Sequence, residues 1–507
     1  MTEHKTFHRA VKWAYVMNWG GQGFAALFTF ILASLLGPRD FGTVSMAMIY
    51  IAFIQMLLNQ GLYAAIIQRP DLQPEHLDSV FWLGQASSLI LVGLSVGLSG
   101  WWAGLNHLPQ LARVISVLSL TIPIEGLAMV QRAVLQREMD FKSLAIRSAG
   151  SVVAGGVMGL AMAFKGCGVW ALVGQRVTED ATALALLWTV GRWRPRWRFS
   201  LDRMRELFGF STASFAGKLG TFVNQQSSAL LIGLYFGPLV VGLYRLAERM
   251  MGLVLDVATS SLQLVSFSEF SRLQDKPSEL RRSVLACLRL SSIVTLPAMA
   301  GLAAVSGVFM GALGSNWIPA ADALKILCVL GMALAFASFT GPLLSALSKP
   351  QVVAMVVWGF NAVNVIALVG VSMLLAHASA KGQVVGIAAT RFAMGALLFA
   401  PTLLYILMQH SRISLGDLWK TARPSILAAL AVAAVLLPFS RLTPGCKSVV
   451  LLVVEVTLGG LTGMAVLLTL DDKLRNAALA PILAAMRTRG RVGTDGRLRE
   501  LRDPVGD

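Results

Sequence analysis

Runs of about twenty consecutive, mostly apolar residues recur along this chain, and no soluble architecture can bury so many of them. Stretches such as 351–376 and 448–469 have little polar face to turn to water. They are stable where hydrocarbon replaces water, and there a segment must satisfy its own backbone hydrogen bonds, which for a single span means a helix. Composition agrees: of 507 residues 56% are hydrophobic and 14% charged, with mean hydropathy +0.68, where soluble domains carry about 25% charged residues. Those values exclude a disordered chain, a disulfide scaffold and a soluble multidomain enzyme. Long unbroken runs, in place of short alternating ones, favour helices over a barrel.

Breaking the runs at glycine, proline and charge clusters predicts an all-α polytopic membrane protein of about 14 transmembrane helices. Residues 1–12 form the N-terminus, 13–190 hold helices one to six, 191–205 a basic linker, 206–409 helices seven to twelve, 423–469 two extra helices, and 470–507 a basic tail. The first run follows Lys5, Arg9 and Lys12 as a signal peptide would, but it is too long for an h-region and lacks a small-residue cleavage site, so it is read as a retained span. Charge tests the count. With the N-terminus inside, 31 of the 43 Lys and Arg fall on inside segments and 6 on outside loops, the asymmetry that the positive-inside rule demands. Both termini are therefore expected to be cytoplasmic.

An internal repeat organises the chain. Leu36-Gly37-Pro38 with Gly42 joins the first two spans, and Phe236-Gly237-Pro238 with Gly242 joins the seventh and eighth, two hundred positions later. That offset equals six helices. An even number keeps both halves in one orientation, so a parallel repeat about an axis along the membrane normal is expected. The prediction is two pseudo-symmetric six-helix lobes plus two C-terminal helices.

Several other signals lead nowhere. Gly21-Gln-Gly23-Phe-Ala-Ala26 and Gly166-Cys-Gly168-Val-Trp-Ala171 match a dinucleotide fingerprint, but neither follows a strand. No Walker A loop occurs, and the four cysteines show no metal spacing, so neither an enzyme nor a cofactor is expected. The formal charge of +17 fits membrane topology, and no nucleic-acid partner is expected. Arg192-Trp-Arg-Pro-Arg-Trp-Arg198 reads as an anchor on the anionic lipids of the inner leaflet.

Together, Leu36-Gly-Pro-Arg-Asp-Phe-Gly42, Gln60-Gly-Leu62, Ile67-Gln-Arg69, Glu75-His-Leu77, Val80-Phe-Trp82, Gln136-Arg-Glu-Met-Asp-Phe141, Gly168-Val-Trp-Ala-Leu172 and Phe270-Ser-Arg-Leu-Gln-Asp275 resemble the Wzx-type polysaccharide flippases, in the exopolysaccharide and colanic-acid-like branch of the multidrug/oligosaccharidyl-lipid/polysaccharide exporter superfamily. The resemblance covers about residues 10–410. It implies a V-shaped transporter in a bacterial inner membrane whose first, second, seventh and eighth helices line a central cavity. It further implies an undecaprenyl-diphosphate-linked oligosaccharide as substrate and polysaccharide polymerase machinery as a partner. The two extra helices depart from a twelve-helix core.

Intramembrane charges are the chemical content of such a chain, because each costs about 2.5 to 3.5 kcal/mol at mid-bilayer on insertion scales. Arg176 has Glu179 and Asp180 within a turn and is read as a local pair, whereas Lys325, with Asp322 a turn before it and a helix end nearby, is read as snorkelling to the interface. Lys218, Arg245, Arg249 and Arg391 remain as substrate-site candidates. Arg245, Arg249, Gly252 and Asp256 share one helix face. Two arginines a turn apart repel unless an anion sits beside them, and a diphosphate suits their forked donors; the competing account is that Glu248 and Asp256 neutralise them. Asn18, Gln22 and Gln225 are candidates for sugar hydroxyls, with buried packing polars as the alternative. Glu125 and Asp256 are the ion-coupling candidates, Glu125 because it has no local base, with Glu455 ranked below it. The competing function is a cation-coupled drug or metabolite antiporter, which needs a net negative cavity.

Reporter fusions after Lys165 and Lys447 should read periplasmic on this topology; a cytoplasmic signal at either overturns it.

Overall fold

The computed structural model describes residues 21–470 apart from 60–61, 70, 139 and 443–448. Helices account for the regular structure of the described residues, and no strand occurs among them. In chain order they are α1 (Gly21–Leu35), α2 (Pro38–Asn59, followed by the short helix Leu62–Gln68), α3 (Pro74–Leu105), α4 (Gln110–Arg137), α5 (Phe141–Phe164), α6 (Val169–Val190), α7 (Leu201–Phe236), α8 (Pro238–Arg272), α9 (Pro277–Leu313), α10 (Ser315–Ala346), α11 (Pro350–Leu374), α12 (Ala380–Ser411), α13 (Leu415–Leu442) and α14 (Val449–Leu470). Among the described residues, the apolar runs lie on these helices. Eleven of these helices are long and apolar enough to cross a membrane. The others are α1, of which only the described part counts, α6 with Arg176, Glu179 and Asp180, and α7 with Asn224, Gln225 and Gln226.

Several helices outrun their apolar cores. α3 begins at Pro74, ahead of the apolar run from 80, α9 at Pro277, ahead of the run from 286, and α13 at Leu415, ahead of the run from 423. Proline at the first helical turn fits the α3 and α9 starts, because its fixed φ suits that position and the N–H it lacks has no intrahelical acceptor there. Hydropathy marks the part of a helix that lipid or protein covers, not the polar turns beyond it.

The repeat meets itself in space. α2 packs along α8, and the contact is reciprocal: a Cβ on Gly42 would lie 1.7 Å from the Pro238 carbonyl oxygen, and one on Gly242 would lie 1.8 Å from that of Pro38. The two Gly-Pro turns sit on either side of this crossing, with Gly237 at φ +76°. On the same end, the buried indole of Trp317, at the start of α10, donates to the Ala33 carbonyl at 2.8 Å and meets the Phe41 ring edge-on. The first six helices are thus closed against the next six at the end that carries the two turns.

The opposite end of the first half is held by the motif residues. Arg137 Nη1 donates to the carbonyls of Ile66 at 3.0 Å and Arg69, closing the short helix after α2. His76 and Gln73 form a capping box on α3, and Asp140 caps α5. The Arg192–Arg198 stretch does more than face lipid. Its Arg196 amide donates to Asp78 at 3.0 Å, Trp82 donates back to the Arg196 carbonyl at 2.8 Å, and Trp197 stacks on Trp82 with ring centroids 4.0 Å apart. Arg194 turns inward to the carbonyls of Trp188 and Gly191 and caps α6. The linker is a strap docked on α3, fastened by backbone bonds that a reading of its basic and aromatic side chains does not reach. α13 and α14 pack on α9, where Arg281 bridges to Asp417 at 2.6 Å.

Gly42→Ala and Gly242→Ala should each lower stability by about 2 kcal/mol or more, because the obstacle is backbone that cannot rotate away. Gly252→Ala, with open space at its Cβ, is the control on the same helix. Thermal unfolding in detergent reads the difference, and a Gly42→Ala transition no lower than that of Gly252→Ala would contradict the crossing.

Candidate functional site

Between the two halves, below the α2–α8 crossing, lie two adjoining cavities of ≈ 500 and ≈ 370 Å³ that share Phe41, Ser45, Gln226 and Arg245 as wall. The larger carries Arg245, Arg249 and Arg391 against Glu248 and Asp256, an excess of one positive charge. The smaller adds Arg176 and Glu179, which leaves the excess unchanged.

The arginines are not equivalent. On α8, Arg245 Nη1 donates to Glu248 Oε2 at 3.0 Å, one helical turn on, while its Nη2 donates to Gln226 Oε1 of α7. Arg391 of α12 brings Nη2 to 4.0 Å from Glu248 Oε1, and that oxygen accepts the Tyr244 hydroxyl at 3.2 Å. Glu248 is therefore shared by two guanidiniums and a phenol. Arg249 is exposed to the cavity and donates to the neutral Gln22 Oε1 of α1 at 3.2 Å. No carboxylate stands within 4.0 Å of it among the described residues. Asp256 lies two turns further along the same face and lines the same cavity. The π-helical turn Ala393–Phe399 follows Arg391 directly, a backbone irregularity of the kind that recurs at functional sites.

Gln22 and Arg249, 227 positions apart, are brought together. Arg245, Arg249, Arg391, Gln225 and Asp256 share one cavity. Lys218 is on α7, but its side chain is outside the described residues, as is Asn18 altogether. Glu125 is a correction: it does have a base, Arg132, two turns along α4, with Nη2 to Oε1 at 2.5 Å and Nη1 to Oε2 at 3.2 Å. Arg132, which charge counting places in a cytoplasmic loop, lies inside α4 with its guanidinium 5.0 Å over the Tyr63 ring. An apolar run that ends at its last hydrophobic residue hides a pair spaced at i, i+7. The local pair expected at Arg176–Asp180 forms at 3.0 Å; Lys325 donates to Asp322 at 3.0 Å, and Lys381 joins that carboxylate at 2.8 Å. Yet Arg176 and Glu179 also face the smaller cavity. Gln226, which takes Arg245, was not singled out; the signal for it is the dip in hydropathy at Asn224–Gln226 within α7.

A family model described as polysaccharide biosynthesis protein matches residues 31–322. The succinoglycan biosynthesis transport protein ExoT of Rhizobium meliloti is 29% identical over 327 residues, 64% of this chain and 66% of that protein. The lipopolysaccharide biosynthesis protein WzxC of Escherichia coli is 26% identical over 326 residues, again 64% and 66%. The chain thus spans just under two thirds of the length of these relatives. In fold, it is similar to the solved structure of the lipid II flippase MurJ in an inward closed conformation, with a TM-score of 0.65 at 12% identity over 91% of this chain and 98% of that one.

Removing the shared acid should cost more than removing the free base. Glu248→Gln leaves two cavity guanidiniums without their counter-charge, a loss of about 1 to 3 kcal/mol at this partial burial, whereas Arg249→Gln should stay within about 0.5 kcal/mol of the parent. Unfolding midpoints compare them, and equal shifts would contradict the division of roles.

Proposed function

The chain belongs to the polysaccharide biosynthesis protein family, and from that premise we propose that it flips an undecaprenyl-diphosphate-linked oligosaccharide from the inner to the outer leaflet of a bacterial inner membrane. The observation that carries the reading is Arg249, a guanidinium with no carboxylate within 4.0 Å among the described residues, on the wall of a net-positive cavity. A diphosphate supplies the missing negative charge, and its oxygens match the forked donors of arginine. Around it Asn224, Gln225, Gln226, Ser45 and Thr29 offer donors and acceptors for sugar hydroxyls without demanding one sugar.

The mechanism follows from the placement of the cavity below the crossing of α2 and α8. In the arrangement described here the two halves touch at the Gly42–Gly242 end. Transport requires that contact to open while the other end closes, with the cavity as the fixed site between them. A ligand shifts that equilibrium only by its differential affinity for the two states. An anion beside Arg249 provides it if closure brings further donors, such as Lys218, onto the same phosphate. Arg245 and Arg391 are positioning groups in this scheme, held by Glu248.

Asp256 is the better ion-coupling candidate, since it faces the substrate cavity, whereas Glu125 is engaged by Arg132. Exposed Arg192, Arg196 and Arg198 beside the docked linker backbone suit anionic inner-leaflet lipids, with both termini cytoplasmic and a polysaccharide polymerase receiving the flipped unit outside. A cation-drug antiporter would want an acid excess in the cavity, and the lining has the opposite sign.

Deletion should leave diphosphate-linked repeat units on the cytoplasmic leaflet and stop polymer export. Arg249→Ala should lower export at least about tenfold and Arg249→Lys by less, the fork being lost but the charge kept. Export normalised to membrane-inserted protein is the measurement; wild-type export by Arg249→Ala would make that arginine structural, and normal leaflet distribution after deletion, with no redundant flippase present, would end the assignment.

A further inference from the structure

Arg176 of α6 has two acids within a turn, Glu179 and Asp180, and only one of them is used. Asp180 takes the guanidinium at 3.0 Å, and no basic side chain stands within 4.0 Å of Glu179 among the described residues. Half-buried Glu179 is instead on the lining of the smaller central cavity, with Gln175 one turn before it on the same helix face and Phe41 of α2 on the wall. Because Asp180 already neutralises Arg176, the second acid answers no base, and an unanswered carboxylate within a membrane domain is costly.

The placement of Glu179 is fixed from behind. α6 packs so closely on α5 that a Cβ on Gly155 would lie 2.8 Å from the Glu179 Cβ, and one on Gly159 would lie 2.9 Å from the Gln175 Cβ. Both stems are thus seated on glycine, and a planar carboxylate and a planar amide are presented to one cavity a helical turn apart. The adjoining cavity carries Arg249, and the two share Phe41, Ser45, Gln226 and Arg245 as wall. A cation and an anion, neither with an ionic partner within 4.0 Å among the described residues, therefore stand in neighbouring chambers.

We propose that the smaller cavity is the subsite for the first sugar of the lipid-linked unit, and that Glu179 selects a neutral sugar there over an acidic one. A carboxylate is acceptor-only and takes two hydroxyl donors at once, which neighbouring hydroxyls of a hexose supply. Gln175 both donates and accepts, so it serves a further hydroxyl in either role. The Phe41 ring offers its electron-rich face to the apolar C–H side of the sugar. A uronic acid at this position would bring a like charge to Glu179, and specificity arises from such a repulsive element as much as from an attractive one. The inference rests on the diphosphate reading of the central site: with the diphosphate at Arg249, the sugar joined directly to it is the part of the substrate next to the adjoining chamber.

The test offers the purified full chain, in detergent, farnesyl diphosphate, its glucosyl ester or its glucuronosyl ester, and reads affinity by isothermal titration calorimetry. The wild type should bind the glucosyl ester about tenfold more tightly than the bare diphosphate, and the glucuronosyl ester no better than the bare one. Glu179→Gln should lose most of the glucosyl gain and bind the glucuronosyl ester more tightly than the wild type does, a gain that damage to the fold does not produce. Arg249→Ala should weaken all three alike. Equal affinity of the wild type for the glucosyl and bare lipids, or an unchanged ratio of glucosyl to glucuronosyl binding in Glu179→Gln, would overturn the sugar subsite while leaving the diphosphate reading in place. Failure of all three lipids to bind the wild type would overturn both.

Discussion

At the centre of the molecule α2 and α8 pass so closely that neither Gly42 nor Gly242 has room for a methyl group. Each occupies the space under the other segment's proline carbonyl, and the relation is the same in both directions. That reciprocity is what a two-fold relation between repeated halves requires. It also explains why the repeat keeps glycine where a helix would prefer alanine: the gain in close backbone approach outweighs the roughly 1 kcal/mol that glycine costs within a helix. The depth of the central cavity, the placement of Trp317 over α1, and the closure of one end all follow from where this crossing sits.

Below it, the protein handles buried charge by unequal sharing. Three guanidiniums and two carboxylates line the larger cavity, but Glu248 serves two of the arginines and none serves Arg249 directly. Within a membrane an uncompensated cation is costly. On the cavity wall Arg249 is held by the neutral amide of Gln22, and the surrounding amides keep the site polar. In the first half, by contrast, Arg132 and Glu125 make a closed pair under the Tyr63 ring and leave no charge over. Similar residue types thus do different things in the two halves.

The basic linker shows a different economy of form. Its backbone is fastened to α3 through Asp78, Ser79 and Trp82, so the connection between the halves is docked on the first half as far as Ser200. The arginines that remain exposed are displayed from a fixed surface, not from a loose loop.

Much of this was legible in the residues. The all-helical membrane architecture follows from apolar length, because a backbone in hydrocarbon has few ways to satisfy itself, and the repeat is written in the two Gly-Pro turns. Arg245, Arg249 and Asp256 could be placed on one face by helical spacing alone. Spacing along one helix, however, is blind to partners on another: it offered no way to see that Gln226 would hold Arg245, that Gln22 would reach Arg249 from 227 positions away, or that Arg391 would come to Glu248. A pair that spans two turns, as at Glu125 and Arg132, is equally hidden, since its base lies at the edge of the apolar run. The sequence by itself determined a helical membrane protein with a doubled core and an excess of intramembrane cations, because hydrophobic length and charge are properties of the chain. Which of those cations is neutralised and which is left facing the cavity was decided only by tertiary structure, because ion pairing depends on distances between helices that no spacing along the chain contains.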